Sequence, residues 1–398
     1  MRAGGLVVGP EPSKLMARVQ IPARAFCRDQ DCQRQRSQAS TADESQRNRA
    51  PDRQVGSEQQ KYRHSALISA VTADVAGPDR KRSIADRFPR AWTLWAATRP
   101  SQFLLVGLVY VLGVGMATAG PPVTRGVPPA STLPGALSAE VVDPVLVGAI
   151  ALVPVTVAIH YANEYADVET DRLTTQTPFS GGSGALERTG LAPTFLRSAT
   201  IAATLIAAIG IVGVSAMGRL PVDAVALLVV IFGLGLAYSL PPIAFVRRGV
   251  GEVVNAVLGG LLLPLYGVAV VASPTVLAAL AVLPFALVVG CNLCATHWPD
   301  READEQVGKR TLAVRWSSRR LRLAYGVLTT AAIGGAVGLW VGGVVPDAVA
   351  LAHVVPLPFL LWGGVVLTRQ RSPLPAVLAM VILAIGATIG WWWVGIVA

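Results

Sequence analysis

The sequence predicts an all-α polytopic membrane protein, with nine transmembrane helices forming two four-helix repeats around a central cavity plus a ninth helix. Three observations carry this. Of the 398 residues 53% are hydrophobic and only 15% charged, with a mean hydropathy of +0.52, which is far too apolar for a soluble chain of this length. Apolar runs recur from Ser101 onward, each long enough, at roughly 18 to 22 residues, to cross about 30 Å of hydrocarbon as a helix. Two acidic clusters, Asn163-x3-Asp167-x3-Asp171 and Asp300-x3-Asp304, close the second run and the sixth, so the pattern recurs after four runs.

Residues 1–88 come first and read as a disordered basic cytoplasmic arm. They are rich in Arg, Gln, Ser and Asp without sustained apolar periodicity, and such a segment cannot bury enough surface to offset chain entropy. The net charge of +10 is concentrated near this end: residues 1–99 carry 18 Lys/Arg and 10 Asp/Glu, against 16 and 14 in the remainder. The excess therefore belongs to the tail, read either as an arm touching anionic lipid or as an idle segment or one preceding a later start at Met16 or beyond, and the expected partners are the bilayer and no nucleic acid. Cys27 and Cys32 lie in this tail without a second ligand pair.

Nine spans come next, near residues 101–119, 144–162, 196–216, 222–240, 253–271, 275–296, 322–342, 348–367 and 375–396. Of the connections, those expected on one side hold 14 Arg and Lys residues, from Arg172 to Arg371, and those on the other only Arg125 and Arg219. The positive-inside rule then puts the N-terminus in the cytoplasm, the C-terminus outside, and both acidic clusters at the cytoplasmic face of a multi-pass cell-membrane protein. Because both clusters face the same way, the two repeats are related by an axis along the membrane normal. Glycines within the spans, among them Gly210, Gly213, Gly233, Gly235, Gly259 and Gly260, are expected at close helix contacts.

The chemistry is expected in the clusters. On a helix Asn163, Asp167 and Asp171 stack along one face, a set of oxygen ligands suited to a divalent cation. Asp300 and Asp304 repeat the spacing, and two such sites facing each other would hold Mg2+ ions that share the oxygens of a polyphosphate. Glu164, Glu169, Glu302 and Glu305 fall off that stripe and read as supporting or solvated. Arg247, Arg248, Lys309 and Arg310 lie within one loop of a cluster and are expected to grip phosphate oxygens, as is Tyr238. Changing both Arg247 and Arg248 to Gln is then expected to raise the Michaelis constant for a diphosphate substrate.

The glycine-rich loop from Pro178 to Gly184 lacks a Walker ending and reads as a lid or tight turn over the site. Cys291-x2-Cys294, inside a span, reads as packing; Asn255 and Asn292 are expected to face the cavity. His353 reads as structural. Charge-free spans with acids at their ends argue against the rival class, a cation-coupled transporter, which places ionisable residues near mid-membrane.

From about Trp95 to the C-terminus the chain resembles the UbiA superfamily of intramembrane prenyltransferases. The resemblance rests on Arg99-Pro100, Asn163-x3-Asp167-x3-Asp171, Tyr238-Ser-x-Pro-Pro, Asp300-x3-Asp304 and Gly308-Lys-Arg-Thr-Leu-Ala-Val314. The last string looks most like the menaquinone branch, which prenylates dihydroxynaphthoate. The resemblance implies a prenyltransferase domain over residues 89–398, with Mg2+ bridging both motifs and the substrate diphosphate. Asn163, Asp167, Asp171, Asp300 and Asp304 would be the ligands, the four aspartates being the catalytic set. It implies transfer from an allylic polyprenyl diphosphate to an aromatic acceptor, with glycerol phosphate, haem or chlorophyllide as alternative acceptors. Tyr161, Tyr165, Tyr238 and Trp298 could then shield the cation. Thr296 stands where relatives often have Asn, and Arg247 and Arg248 where many have Lys.

Overall fold

The computed structural model describes residues 84–120, 122–125, 138–177 and 179–397. Most of the expected arm and both of its cysteines lie outside the described residues. Helix begins inside the stretch expected to be the arm, however, at Ile84–Arg87, and continues as Pro89–Ala97. Pro89 occupies the first turn, where a missing N–H costs nothing. This entry helix buries Thr93, Ala96 and Ala97, leaves Trp95 exposed, and receives the Tyr161 hydroxyl on the carbonyl of Leu94 at 3.0 Å.

Among the described residues nine helices are long and apolar enough to cross a membrane. Spans one to nine are Pro100–Thr118, Ala139–Ala166, Pro193–Ala216, Val222–Ser239, Gly251–Val271, Val276–Thr296, Ser318–Val341, Asp347–Val366 and Leu374–Val397. Each overlaps its expected run. Hydrocarbon forces every backbone group into an intrahelical bond, so an apolar run of that length has one available form. Span five contains a π-helical turn at Leu258–Leu262.

Spans one, five, six and nine are half or more buried in the protein, whereas spans three, four and seven are buried by less than a third. The first group forms the centre and the second faces outward, their exposed Ile, Leu and Val side chains meeting lipid. Span one packs along five and nine, six along seven, and two along three, so each helix bearing an acidic motif packs along the span that follows it.

Span one meets five through glycine. A Cβ on Gly113 would lie 1.9 Å from the Pro264 carbonyl oxygen, and one on Gly267 would lie 2.3 Å from that of Tyr110. Of the glycines expected at helix contacts, Gly235 and Gly260 are at such approaches, while a Cβ on Gly210, Gly233 or Gly259 would meet no atom within 4 Å. Those three make no close helix contact, which the sequence pattern alone does not distinguish.

Candidate active site

The first acidic motif straddles a helix break. Span two ends at Ala166; Asp167 leaves helical geometry, and a short helix, Val168–Leu173, resumes. The break keeps the spacing, because the N–H of Asp167 bonds the Asn163 carbonyl at 3.0 Å and that of Asp171 bonds the Asp167 carbonyl at 2.8 Å. Asp300 likewise begins a short helix, Arg301–Gln306, after span six has ended. The N–H of Asp304 bonds its carbonyl at 2.8 Å.

The turn after that helix brings a lysine back onto it. Gly308 adopts φ +75°, its N–H bonds the Glu305 carbonyl at 3.1 Å, and the N–H of Lys309 bonds the Asp304 carbonyl at 2.8 Å. This is a Schellman stop, which needs a left-handed residue where Gly308 stands. The Lys309 ammonium reaches Asp167 at 2.8 Å and Asp304 at 3.4 Å, joining the two motifs across the bundle. Thr311 adds its hydroxyl to Asp304 at 3.3 Å.

Arg99 approaches from the other side. Its Nε donates to Glu164 at 2.5 Å. With the Asn163 amide oriented to satisfy both neighbours, its oxygen accepts from Arg99 Nη1 at 3.1 Å and its nitrogen donates to Asp167 at 2.9 Å. Arg99 sits at φ +50°, a left-handed conformation that non-glycine residues rarely adopt and that persists where surrounding structure fixes it. Here the side chain is clamped between Glu164 and Asn163.

The glycine-rich loop lies over both motifs. The Ser180 hydroxyl bonds Asp300, and the Ser183 hydroxyl bonds Glu164 at 2.6 Å. Gly182, at φ +65°, passes so close that a Cβ there would meet Asp171 Oδ2 at 2.1 Å. Gly182→Ala is therefore expected to lower turnover about tenfold, from left-handed strain of roughly 1–2 kcal/mol plus displacement of Asp171. Steady-state kinetics normalised to folded protein check this.

Charge within the site is unevenly compensated. Asp171 is pushed up to about 7, first by burial and then by the Asp167 and Glu164 carboxylates, against the pull of Arg99 and Lys309. Burial also raises Asp300, although the Ser180 hydrogen bond opposes it, and raises Asp304 against the pull of Lys309 and His297. For Lys309 burial acts downward, but Asp167 and Asp304 outweigh it and the ammonium is held above its ordinary range. Arg99 is raised in the same way, Glu164 and Asp167 overcoming burial.

These donors fit a small divalent cation: they are oxygens, partly buried, with negative charge that Asp171 registers as reluctance to ionise. Among the described residues no three His, Cys, Asp or Glu side chains surround one point closely enough to hold an ion alone. Mg2+ needs no such cage, since it commonly takes one or two carboxylates together with water and substrate phosphate oxygens.

Not every residue expected here is brought in. Arg247 donates to the Val307 carbonyl at 3.4 Å and Arg248 to the Pro242 carbonyl at 2.7 Å, while Arg310 is exposed. Tyr238, by contrast, stays near the site: half-buried at the end of span four with its ring beside Gly251, it feels the charges of Asp167 and Asp304. Trp298 lies under the Arg301 guanidinium, 4.0 Å from ring centroid to Cζ. Asn292 is buried one turn above Thr296 in span six, and its side-chain oxygen has no hydrogen-bond partner. Cys291 packs against Thr329 Oγ1 at 3.5 Å, and His353 bonds the Val349 carbonyl at 2.9 Å, both as internal contacts. A cavity of about 400 Å³ lined by Trp340, Asp347 and Trp391 opens at the opposite end of the bundle, away from both motifs.

Sequence reasoning placed Glu164 off the metal stripe, and it proves to be the buried partner of Arg99 and Ser183. It gave no role to Glu252, which is also buried. An acid inside an apolar run was the available signal, because lipid-depth carboxylates are rare without a partner.

No curated protein matches this chain in sequence. Its fold is similar to that of a UbiA homolog from Archaeoglobus fulgidus bound to DMAPP and Mg2+, at 15% identity and a TM-score of 0.54, over 75% of this chain and 97% of that one. It is similar also to a UbiA homolog from Aeropyrum pernix K1, at 15% identity and 0.51, over 72% and 96%. A digeranylgeranylglyceryl phosphate synthase shares the fold at 12% identity and 0.52, over 76% and 99%. The profile of the UbiA prenyltransferase family matches residues 126–385, a stretch that contains both acidic motifs and Lys309. The chain belongs to the UbiA prenyltransferase family and is an integral membrane prenyltransferase.

Proposed function

We propose that the protein transfers a polyprenyl group from an allylic polyprenyl diphosphate to an aromatic acceptor of the quinone-precursor type, at the cytoplasmic face of the membrane. The observation that carries this reading is Lys309, whose ammonium lies between Asp167 of the first motif and Asp304 of the second. A diphosphate held there meets a fixed cation and carboxylates that can share divalent ions with it. Asp167, Asp171, Asp300 and Asp304 are the proposed ligands. Asn163 aligns Asp167 while its oxygen is directed at Arg99.

Mg2+, when bound, supplies Lewis acidity to the diphosphate oxygens as the allylic C–O bond breaks. Lys309 donates to the leaving oxygens, where negative charge grows toward the transition state. Arg99 holds Glu164 and Asn163 in place beneath them. The ring carbon of the acceptor then bonds to the allylic carbon and loses its proton, restoring aromaticity. The cations that reach the motifs among the described residues, Arg99 and Lys309, are already engaged by carboxylates. That suits an aromatic ring better than an acceptor bearing a second phosphate. The Gly308 to Val314 string supports the menaquinone branch, and the one-sided distribution of Arg and Lys supports an inside N-terminus and an outside C-terminus.

Membranes containing the protein, given labelled polyprenyl diphosphate and Mg2+ with a panel of acceptors, test the reading. Dihydroxynaphthoate-type acceptors are expected to be labelled. Labelling confined to a glycerol phosphate acceptor would overturn the aromatic assignment, and turnover undiminished in EDTA would overturn the metal. The placement of the basic residues adds an expectation. Arg248→Gln and Arg310→Gln should each change the Michaelis constant for the diphosphate by less than about twofold, as for exposed charges in water. The same kinetics, with orientation checked by accessibility labelling, measure it.

A further inference from the structure

Glu252 opens span five, only 4% exposed, and takes no part in the proposed chemistry. Its Oε1 accepts from the backbone N–H of Leu312 at 2.5 Å and lies 3.0 Å from His297 Nδ1. Leu312 starts the short helix just beyond Lys309, and His297 ends span six, three residues before Asp300. One carboxylate oxygen thus ties together the start of span five, the end of span six and the loop that carries the lysine.

Other contacts fasten the same two segments. Arg247 Nη1 donates to the Val307 carbonyl and Arg315 Nη1 to the Gly249 carbonyl, each at 3.4 Å. A Cβ on Gly249 would lie 3.0 Å from the Arg310 carbonyl oxygen, so the two stretches of chain run against each other there. The loop is gripped before Lys309, at Val307, and after it, at Leu312 and Arg315. All three have an ionised partner, but the bond to Leu312 is much the shortest, 2.5 Å against 3.4 Å, and its carboxylate is 4% exposed, which makes it the strongest of the set. Burying a carboxylate at the head of a membrane span costs free energy unless it is paired; here Oε1 holds both bonds, while Oε2 is buried without a hydrogen-bond partner.

We propose that Glu252 is a positioning residue for Lys309: with His297 as its second anchor, it fixes the 308–315 loop so that the ammonium meets Asp167 and Asp304 together. This rests on the reading of Lys309 as the cation that attends the diphosphate. Lys309 hangs from a turn fixed on its near side by the Asp304 carbonyl, and Glu252 fixes the far side. Without that second fixing point the loop beyond Gly308 keeps only the longer bonds of Thr311 to Asp304 and of Arg315 to Gly249, and the ammonium loses its fixed position.

The test uses the full chain in detergent micelles, with hydrogen exchange over residues 308–316 and kinetics with a labelled polyprenyl diphosphate. Glu252→Ala is expected to raise exchange in that segment and to lower kcat by about 30-fold with a smaller change in KM, as small misplacements of a catalytic group do. Glu252→Gln keeps an oxygen for the Leu312 N–H and is expected to restore kcat to within about threefold of wild type. Glu252→Ala made in a Lys309→Met background is expected to lower kcat by less than about twofold more, since residues acting through one another are not additive. Fully multiplicative losses, or a loss of turnover with unchanged exchange over 308–316, would overturn the proposal. His297→Asn carries the same test if Glu252→Ala does not fold, with the same direction and a smaller size. Absence of turnover in the wild-type protein would count against prenyl transfer itself, and the exchange experiment would still decide whether Glu252 fixes the loop.

Discussion

Asp167→Asn and Asp300→Asn are each expected to lower turnover by about a thousandfold or more, and EDTA is expected to do the same to the wild type. The reason is charge that nothing nearby replaces: metal-assisted departure of a diphosphate draws several kcal/mol from the cation, and each 1.36 kcal/mol is about tenfold in rate. Asn at either position keeps the shape and removes the charge. Asp167 is the more exacting of the two, because it also receives Lys309 at 2.8 Å and the Asn163 amide at 2.9 Å.

A pH dependence accompanies the loss. Asp171 is held up to about 7 by burial and its carboxylate neighbours, so below that pH a proton occupies the group and a cation must displace it. Apparent Mg2+ affinity is therefore expected to weaken as pH falls through about 7, and to level off above it. Titrating Mg2+ into the assay at several pH values measures this. An affinity that is flat between pH 6 and 8 would remove Asp171 from the metal site. Full turnover of Asp167→Asn would remove the first motif altogether.

The spans were legible because lipid leaves a long apolar run only one form. Both motifs were legible because an i, i+4 carboxylate pair at the end of one run recurred four runs later. Their setting was less so. The sequence suggests one continuous helix through Asp171, whereas the chain breaks at Asp167 and resumes at Val168, and nothing in the residue types marks the break.

The basic residues separate what spacing can tell from what it cannot. Arg247, Arg248, Lys309 and Arg310 were equivalent by distance along the chain, yet only Lys309 reaches the carboxylates. The difference is made by Gly308, whose left-handed turn reverses the chain after a six-residue helix. That glycine was a readable stop signal. The pairing of Glu252 with Leu312, across 60 residues, was not. Glu252 was nonetheless conspicuous as an acid in the first turn of an apolar span, where the absence of water demands a partner. The entry helix was not read from the sequence, where the polar composition up to residue 88 masked it; Pro89, at a first helical position, was the available signal.

Lys309→Met is expected to lower kcat for prenyl transfer by about 10² to 10³, the size of effect seen when one donor to a developing anion is removed. Two opposing roles are open to this ammonium, and the variant separates them. As a partner of the leaving diphosphate, it gains most as negative charge accumulates, so its loss falls mainly on kcat and less on KM. As a placeholder that only neutralises Asp167 and Asp304, it would compete with Mg2+; its loss would tighten the metal and leave kcat alone. The ammonium remains charged through the assay range, because Asp167 and Asp304 hold its pKa above the ordinary lysine value despite burial. Its own titration therefore adds no break to the pH profile. Lys309→Arg is expected to recover only part of the rate, since a planar fork does not fit a space shaped for a point charge between two carboxylates. Measuring kcat, KM and the Mg2+ activation constant for both variants decides the matter. A lower Mg2+ constant with unchanged kcat in Lys309→Met would make the lysine a placeholder and move the search for the diphosphate's partner to Arg99, which among the described residues is the other cation that reaches the first motif, through Asn163.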